Sequence, residues 1–135
     1  MEIKNTKYFS WKEFDRSVEY ISQKCKLLDL TGIYGIPRGG LCLAVALSHK
    51  LNVKLISKPL KNSLIVDDVY ETGITLNAFS KIEGAMFFVL FSKKKPIWWN
   101  TVNLSNQDEW IVFPWENKKN ILNDQNQYLN DRLMK

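Results

Sequence analysis

The segment Ser63-Leu64-Ile65-Val66-Asp67-Asp68-Val69-Tyr70-Glu71-Thr72-Gly73-Ile74-Thr75-Leu76 brings three acids and two threonine hydroxyls close together behind an apolar run. An apolar run, Leu64–Val66, delivers two adjacent carboxylates, Asp67 and Asp68, and a short loop follows. Thr72-Gly73-Ile74-Thr75 then opens a helical pattern with backbone N–H groups and two hydroxyls, which suits a phosphate monoester. Two carboxylates beside a phosphate repel it. Sugar hydroxyls or a Mg²⁺ ion resolve that conflict, because Mg²⁺ takes one or two carboxylates together with ligand oxygens. A second constellation lies upstream, in Ile33-Tyr34-Gly35-Ile36-Pro37-Arg38-Gly39-Gly40-Leu41. Its paired glycines let the backbone approach an oxyanion, and Arg38 adds a fixed positive charge. Either motif alone also describes an ordinary acidic loop or strand-to-helix turn. The two in series describe a site for a phosphorylated ligand.

Positioning these residues requires strands that end at the motifs. Ile33–Ile36, Lys54–Ser57, Leu64–Val66 and Ala85–Phe91 read as short apolar strands, the third stopping at Asp67-Asp68. Helical patterns run from Leu41 to Leu51, mostly apolar and so mostly buried, and from Thr72 to Ile82. Strands that are apolar throughout, alternating with helices, predict an α/β fold: a mostly parallel central sheet with helices on both faces. In such sheets ligands bind at the C-terminal ends of the strands. Ahead of them, Ser10-Trp11-Lys12-Glu13 reads as a capping box. Trp11, Phe14, Val18, Ile21, Cys25 and Leu28 continue it as one apolar helical stripe, with Gly32 past its end. Towards the C-terminus, Trp98-Trp99 and Trp110–Phe113 read as short strands and Asn120–Met134 as a helix. Ile121, Leu122, Tyr128, Leu129 and Leu133 are that helix's apolar positions. Alternation on a strand predicts Trp98 in the core and Trp99 at a subunit contact.

The composition bounds the classes open to the chain. It has 135 residues, 45% of them apolar, with 19 Lys+Arg against 14 Asp+Glu and a net charge of +5. One globular domain over 1–135 fits that length. The excess of positive charge fits a polyanionic ligand, whether RNA, DNA or a phosphorylated metabolite. The longest apolar stretches, Leu41–Leu47 and Ala85–Phe91, fall well below the roughly 20 residues that span a bilayer. Met1-Glu2-Ile3-Lys4-Asn5 has no apolar signal core, and two cysteines make no disulfide scaffold, so a cytoplasmic protein is expected. Cys25 and Cys42 read as packing residues and His49 as solvent-facing.

A strand, two acids and then Thr-Gly-x-Thr resembles the phosphoribosyl-pyrophosphate (PRPP) signature of the type I phosphoribosyltransferases. The loop Ile33–Leu41 resembles the pyrophosphate loop of that family. Phe91-Ser92-Lys93 and Asp108–Glu116 are similar to the bacterial xanthine–guanine branch. The resemblance implies transfer of a 5-phosphoribosyl group from PRPP to a 6-oxopurine (guanine, xanthine or hypoxanthine) in purine salvage, with pyrophosphate leaving. It implies Mg²⁺ as cofactor and a homodimer or homotetramer; no membrane partner is expected from the short apolar stretches, and the lack of a recognisable DNA-reading segment counts against nucleic acid as a partner. Carried over by position, Asp67 and Asp68 hold the ribose hydroxyls and the metal, and Glu71 is the general acid/base at N7. Arg38, Gly39 and Gly40 take the pyrophosphate, and Thr72, Gly73, Ile74 and Thr75 take the 5′-phosphate. Lys93 donates to the 6-oxo group, Trp110 stacks on the base and the Ile111 carbonyl accepts from its 2-position. A non-proline cis peptide is implied in the pyrophosphate loop, at Arg38–Gly39.

Two departures stand out. Glu71 is one methylene longer than the aspartate of the family, and a displacement of about 1 Å can cost about a hundredfold in rate. Only the seven residues Ser57–Ser63 separate two strands where the family carries a long closing lid. The expected fold therefore has a reduced hood and a shortened lid loop. Three consequences are open: a lid supplied by a neighbouring subunit, poor substitution by Lys58 and Lys61, or a regulatory protein that binds PRPP or nucleotides without efficient turnover.

Overall fold

A computed structural model describes residues 5–117, 119 and 121–133. The chain packs as two compact units, Met1–Phe14 with Asn106–Lys135, and Asp15–Ser105.

The larger unit carries the parallel sheet. Its strands are β2 (Ile33–Gly35), β3 (Leu64–Tyr70), β4 (Met86–Ser92) and β5 (Asn100–Leu104), in spatial order β2-β3-β4-β5 and all parallel. Lys54–Ser57 is reduced to one bridge, Leu55 to Ile33, on the outer side of β2. Both faces are covered, as the apolar strands require. α2 (Leu41–Leu51) packs on the face of Gly35 and Val66, and buries Leu43, Ala44 and Leu47. On that face the ring of Tyr20, from α1 (Trp11–Cys25), meets Phe88 edge-on at 6.4 Å. The opposite face carries a core of Ile36, Ile65, Leu76, Phe87, Val89 and Trp99.

Several elements differ from the sequence expectation. β3 does not stop at Asp67 but runs through both acids to Tyr70, because it lies between two neighbours and pairs Asp67 with Val89 and Tyr70 with Ser92. The helix expected over Thr72–Ile82 is only α3 (Ile74–Asn77). Beyond it Phe79, Ser80 and Ile82 donate to carbonyls three residues back, and the Ser80 hydroxyl takes the Asn77 carbonyl that a longer helix would use. α1 ends at Cys25, seven residues before Gly32, and Leu28 N–H closes a turn onto the Cys25 carbonyl. Trp98 and Trp99 are not on a strand but in the irregular segment ahead of β5, and they divide the other way: Trp99 is buried and Trp98 exposed. α2 leaves Leu41 and Val45 on the surface despite its apolar composition. His49 is exposed, and burial pushes the Cys25 thiol up to about 11, in keeping with a packing role.

The smaller unit pairs β1 (Asn5–Tyr8) in parallel with β6 (Glu109–Val112) and includes α4 (Ile121–Leu133). β1 has no apolar pattern and is held by its ladder. The capping box at the start of α1 is formed: Glu13 N–H donates to Ser10 Oγ, and Ser10 N–H donates to Glu13 Oε1. Phe113 stacks on Trp115 at 4.9 Å and meets Phe9 edge-on. Met1–Lys4, and the ends Asn120 and Met134 of the expected C-terminal helix, lie outside the described residues. Among the described residues no helix is long and apolar enough to cross a membrane.

Candidate active site

The two motifs meet at the C-terminal end of β3. Ile36 N–H donates to the Val66 carbonyl at 2.9 Å, and Gly40 N–H closes back onto the Ile36 carbonyl at 2.8 Å. The loop so formed lies directly on the acids. A Cβ on Gly39 would collide with the Asp68 carboxylate, and one on Gly40 with the Val66 carbonyl oxygen, so glycine is needed for this approach. The loop does contain a non-proline cis peptide, but at Pro37–Arg38, one bond earlier than expected. Arg38 itself is exposed.

Asp67 and Asp68 are strand residues with their carboxylates partly satisfied by the backbone. Asp67 Oδ1 accepts from Asp68 N–H at 2.8 Å, and Asp68 Oδ1 accepts from Val69 N–H at 2.7 Å. Burial pushes the Asp67 carboxyl up to about 9, with the Asp68 charge adding to it, and burial also raises Asp68. Among the described residues no ion pair joins a basic side chain to either acid. Among the described residues no cluster of three or more His, Cys, Asp or Glu gathers for a metal. A buried and a half-buried carboxylate side by side, with no ion-paired base among the described residues, fit a hard divalent cation that completes its shell with ligand oxygens and water.

Register brings the next two residues together. Tyr70 pairs with Ser92 on adjacent parallel strands, so the residues that follow, Glu71 and Lys93, leave the sheet side by side. Lys93 Nζ lies 3.8 Å from Glu71 Oε1, with the lysine side chain 3% exposed and the glutamate 24%. Lys93 N–H also donates to the Tyr70 carbonyl at 2.8 Å. The Thr72–Thr75 turn follows at once: Gly73 has φ +87, and both threonines are exposed.

Trp110 and Ile111 belong to β6 in the smaller unit. The Trp110 ring meets Tyr128 of α4 at 5.1 Å, and its Nε1 has no hydrogen-bond partner among the described residues. Phe9 N–H donates to the Val112 carbonyl and Asn5 N–H to that of Asp108. Carbonyls alternate along such a ladder, so that of Ile111 turns away from β1.

The Ser57–Ser63 link lies at the other end of the sheet. Ile33 pairs with Leu55 on one side and Leu64 on the other, so the link crosses beneath the start of β2. Thr31 Oγ1 donates to the Lys61 carbonyl there, and Lys61 Nζ pairs with Glu83 at 3.3 Å. Lys61 is therefore engaged at this end of the sheet, away from the acids, and Lys58 is exposed.

One supporting pair escaped the sequence reading. Tyr70 is buried and stacks on Trp99, with centroids 3.7 Å apart and planes 12° from parallel. An aromatic next to the acids was visible; its partner across the sheet was not.

No family model matches the chain. The xanthine-guanine phosphoribosyltransferase of Chromohalobacter salexigens is 28% identical over 132 residues, covering 79% of this chain and 82% of that protein. The crystal structure of a purine phosphoribosyltransferase from Pyrococcus horikoshii superposes with a TM-score of 0.70 at 28% identity, covering 84% of this chain and 95% of that one. Over most of its length the chain is thus similar to xanthine-guanine and purine phosphoribosyltransferases. The Helicobacter pylori xanthine-guanine-hypoxanthine phosphoribosyltransferase shares the fold, with a TM-score of 0.66 at 21% identity over 89% of this chain and 99% of that one. The chain shares with these phosphoribosyltransferases the fold expected from its strands and motifs.

Proposed function

We propose that the protein transfers the 5-phosphoribosyl group of PRPP to a 6-oxopurine, releasing pyrophosphate. The observation that carries this reading is the Lys93–Glu71 pair, a donor and an acceptor 3.8 Å apart at the end of adjacent strands. A 6-oxopurine presents an acceptor, O6, beside a donor, N7–H, on one edge. Lys93 donates to O6 and Glu71 accepts the N7 proton as the glycosidic bond forms. Adenine offers an amino group at position 6 and would set donor against donor.

The remaining roles follow from charge and position. Asp67 and Asp68 hold the ribose hydroxyls and carry Mg²⁺, which neutralises pyrophosphate charge when bound. Arg38 and the Gly39 and Gly40 amides bind the leaving pyrophosphate, where negative charge builds as the sugar gains oxocarbenium character. The Thr72–Thr75 turn takes the 5′-phosphate. Trp110 supplies a stacking face and the outward Ile111 carbonyl accepts from the 2-position of the base.

A second reading, a PRPP- or nucleotide-binding regulator without efficient turnover, is favoured by the placement of Ser57–Ser63 away from the acids. No lid from that segment excludes water during transfer. Incubation with PRPP, Mg²⁺ and each nucleobase separates the two. Monophosphates from guanine, xanthine or hypoxanthine, with none from adenine, support transfer. Tight PRPP binding with no product from any base supports the regulator.

A further inference from the structure

We propose that Trp99 is a positioning residue that couples the phosphate turn to Lys93; this rests on the transfer reading above. The indole stacks on Tyr70, whose phenol oxygen occupies the space that a Cβ on Gly73 would enter. The Gly73 backbone thus rests on the phenol, and the phenol rests on the indole. The other edge of Trp99 serves the base side. Its Nε1–H donates to Ser92 Oγ at 3.1 Å, and Ser92 Oγ donates to the Lys94 carbonyl at 2.5 Å. The residues flanking Lys93 are therefore pinned through one indole N–H, while Lys93 N–H is held by the Tyr70 carbonyl.

Volume alone does not account for this arrangement. Ile65, Leu76, Phe87 and Val89 fill the same core with apolar groups only. A buried indole N–H needs a partner, and here that partner is the strand end that presents Lys93. The 5′-phosphate and the base lie at opposite ends of the nucleotide product. A rigid indole touching the supports of both fixes the span between them.

Two conservative variants separate the two edges. Trp99→Phe keeps a ring against Tyr70 and removes Nε1–H. Tyr70→Phe keeps the stack and the carbonyl and removes the oxygen under Gly73. Near-UV circular dichroism and thermal unfolding establish that each folds. PRPP affinity is read by calorimetric titration in Mg²⁺, and base recognition by the KM for guanine. Trp99→Phe is expected to raise the guanine KM about three- to tenfold, the scale of one neutral hydrogen bond, with PRPP affinity within twofold. Tyr70→Phe is expected to do the reverse, with Trp99→Leu impairing both. If both conservative variants move the two ligands equally, or neither ligand moves, the proposal is overturned. If the parent protein binds PRPP but makes no nucleotide, the transfer reading fails. GMP affinity then replaces the guanine KM, and the same opposite pattern still decides the role of Trp99. A parent that binds neither PRPP nor GMP overturns both.

Discussion

The two ends of β3 are built on opposite terms. At its N-terminal end the Ser57–Ser63 link is tied down by local partners. Ser63 Oγ donates to the Leu60 carbonyl at 2.6 Å, Asn62 N–H donates to the Glu83 carbonyl at 2.9 Å, and Lys61 pairs with Glu83. At its C-terminal end a buried carboxylate, Asp67, sits beside a half-buried one, Asp68, and among the described residues no basic group is ion-paired to them. Burial of like charges without compensation costs stability. The first end holds the fold together, and the second is arranged for a ligand that brings positive charge and hydroxyls with it.

That contrast can be broken at graded cost. The largest effect is expected from Glu71→Gln, which keeps the shape and removes the proton acceptor. On the transfer reading kcat should fall about 10²–10⁴-fold in steady-state assays, with little change in PRPP affinity. Lys93→Ala comes next. Loss of a charge-assisted hydrogen bond predicts a drop of about ten- to a hundredfold in kcat/KM for guanine, and a weaker preference for guanine over adenine. The smallest effect belongs to the far end. Lys61→Ala breaks an ion pair whose members are 74% and 77% exposed. It should change unfolding free energy by no more than about 1 kcal/mol and leave activity alone. A large loss of activity in that variant would mean that the link reaches the ligand after all.

The same contrast marks what could be read from the sequence. The motif at Asp67–Thr75, the Arg38-Gly39-Gly40 turn, the capping box and the covered parallel sheet were legible because each is written in local residue order or in apolar periodicity. The extension of β3 to Tyr70 was not, because aspartates disfavour strands locally and only pairing with β4 overrides that. β5 was missed for a related reason. It is a polar edge strand, and its Asn100 and Asn103 amides donate to the Phe87 and Leu90 carbonyls of β4. The short α3 depends on the Ser80 hydroxyl competing for a helix carbonyl. The approach of Glu71 to Lys93 is a product of register, which follows from the strands only once their pairing is known.

The central claim is that the acid-bearing end of β3 sacrifices stability for a ligand, and thermal unfolding across pH tests it most directly. The Asp67 carboxyl rises from 3.8 to about 9 on folding, so the folded chain holds a proton that the unfolded chain releases. Its contribution is therefore most favourable at or below pH 3.8 and declines as pH rises towards about 9. The ion-free protein should melt at a lower temperature at pH 8 than at pH 5. Asp67→Asn should narrow that difference, and PRPP with Mg²⁺ should raise the melting temperature of the parent at pH 8 but much less that of the variant. Equal pH dependence in parent and Asp67→Asn, with equal response to PRPP and Mg²⁺, would contradict the account.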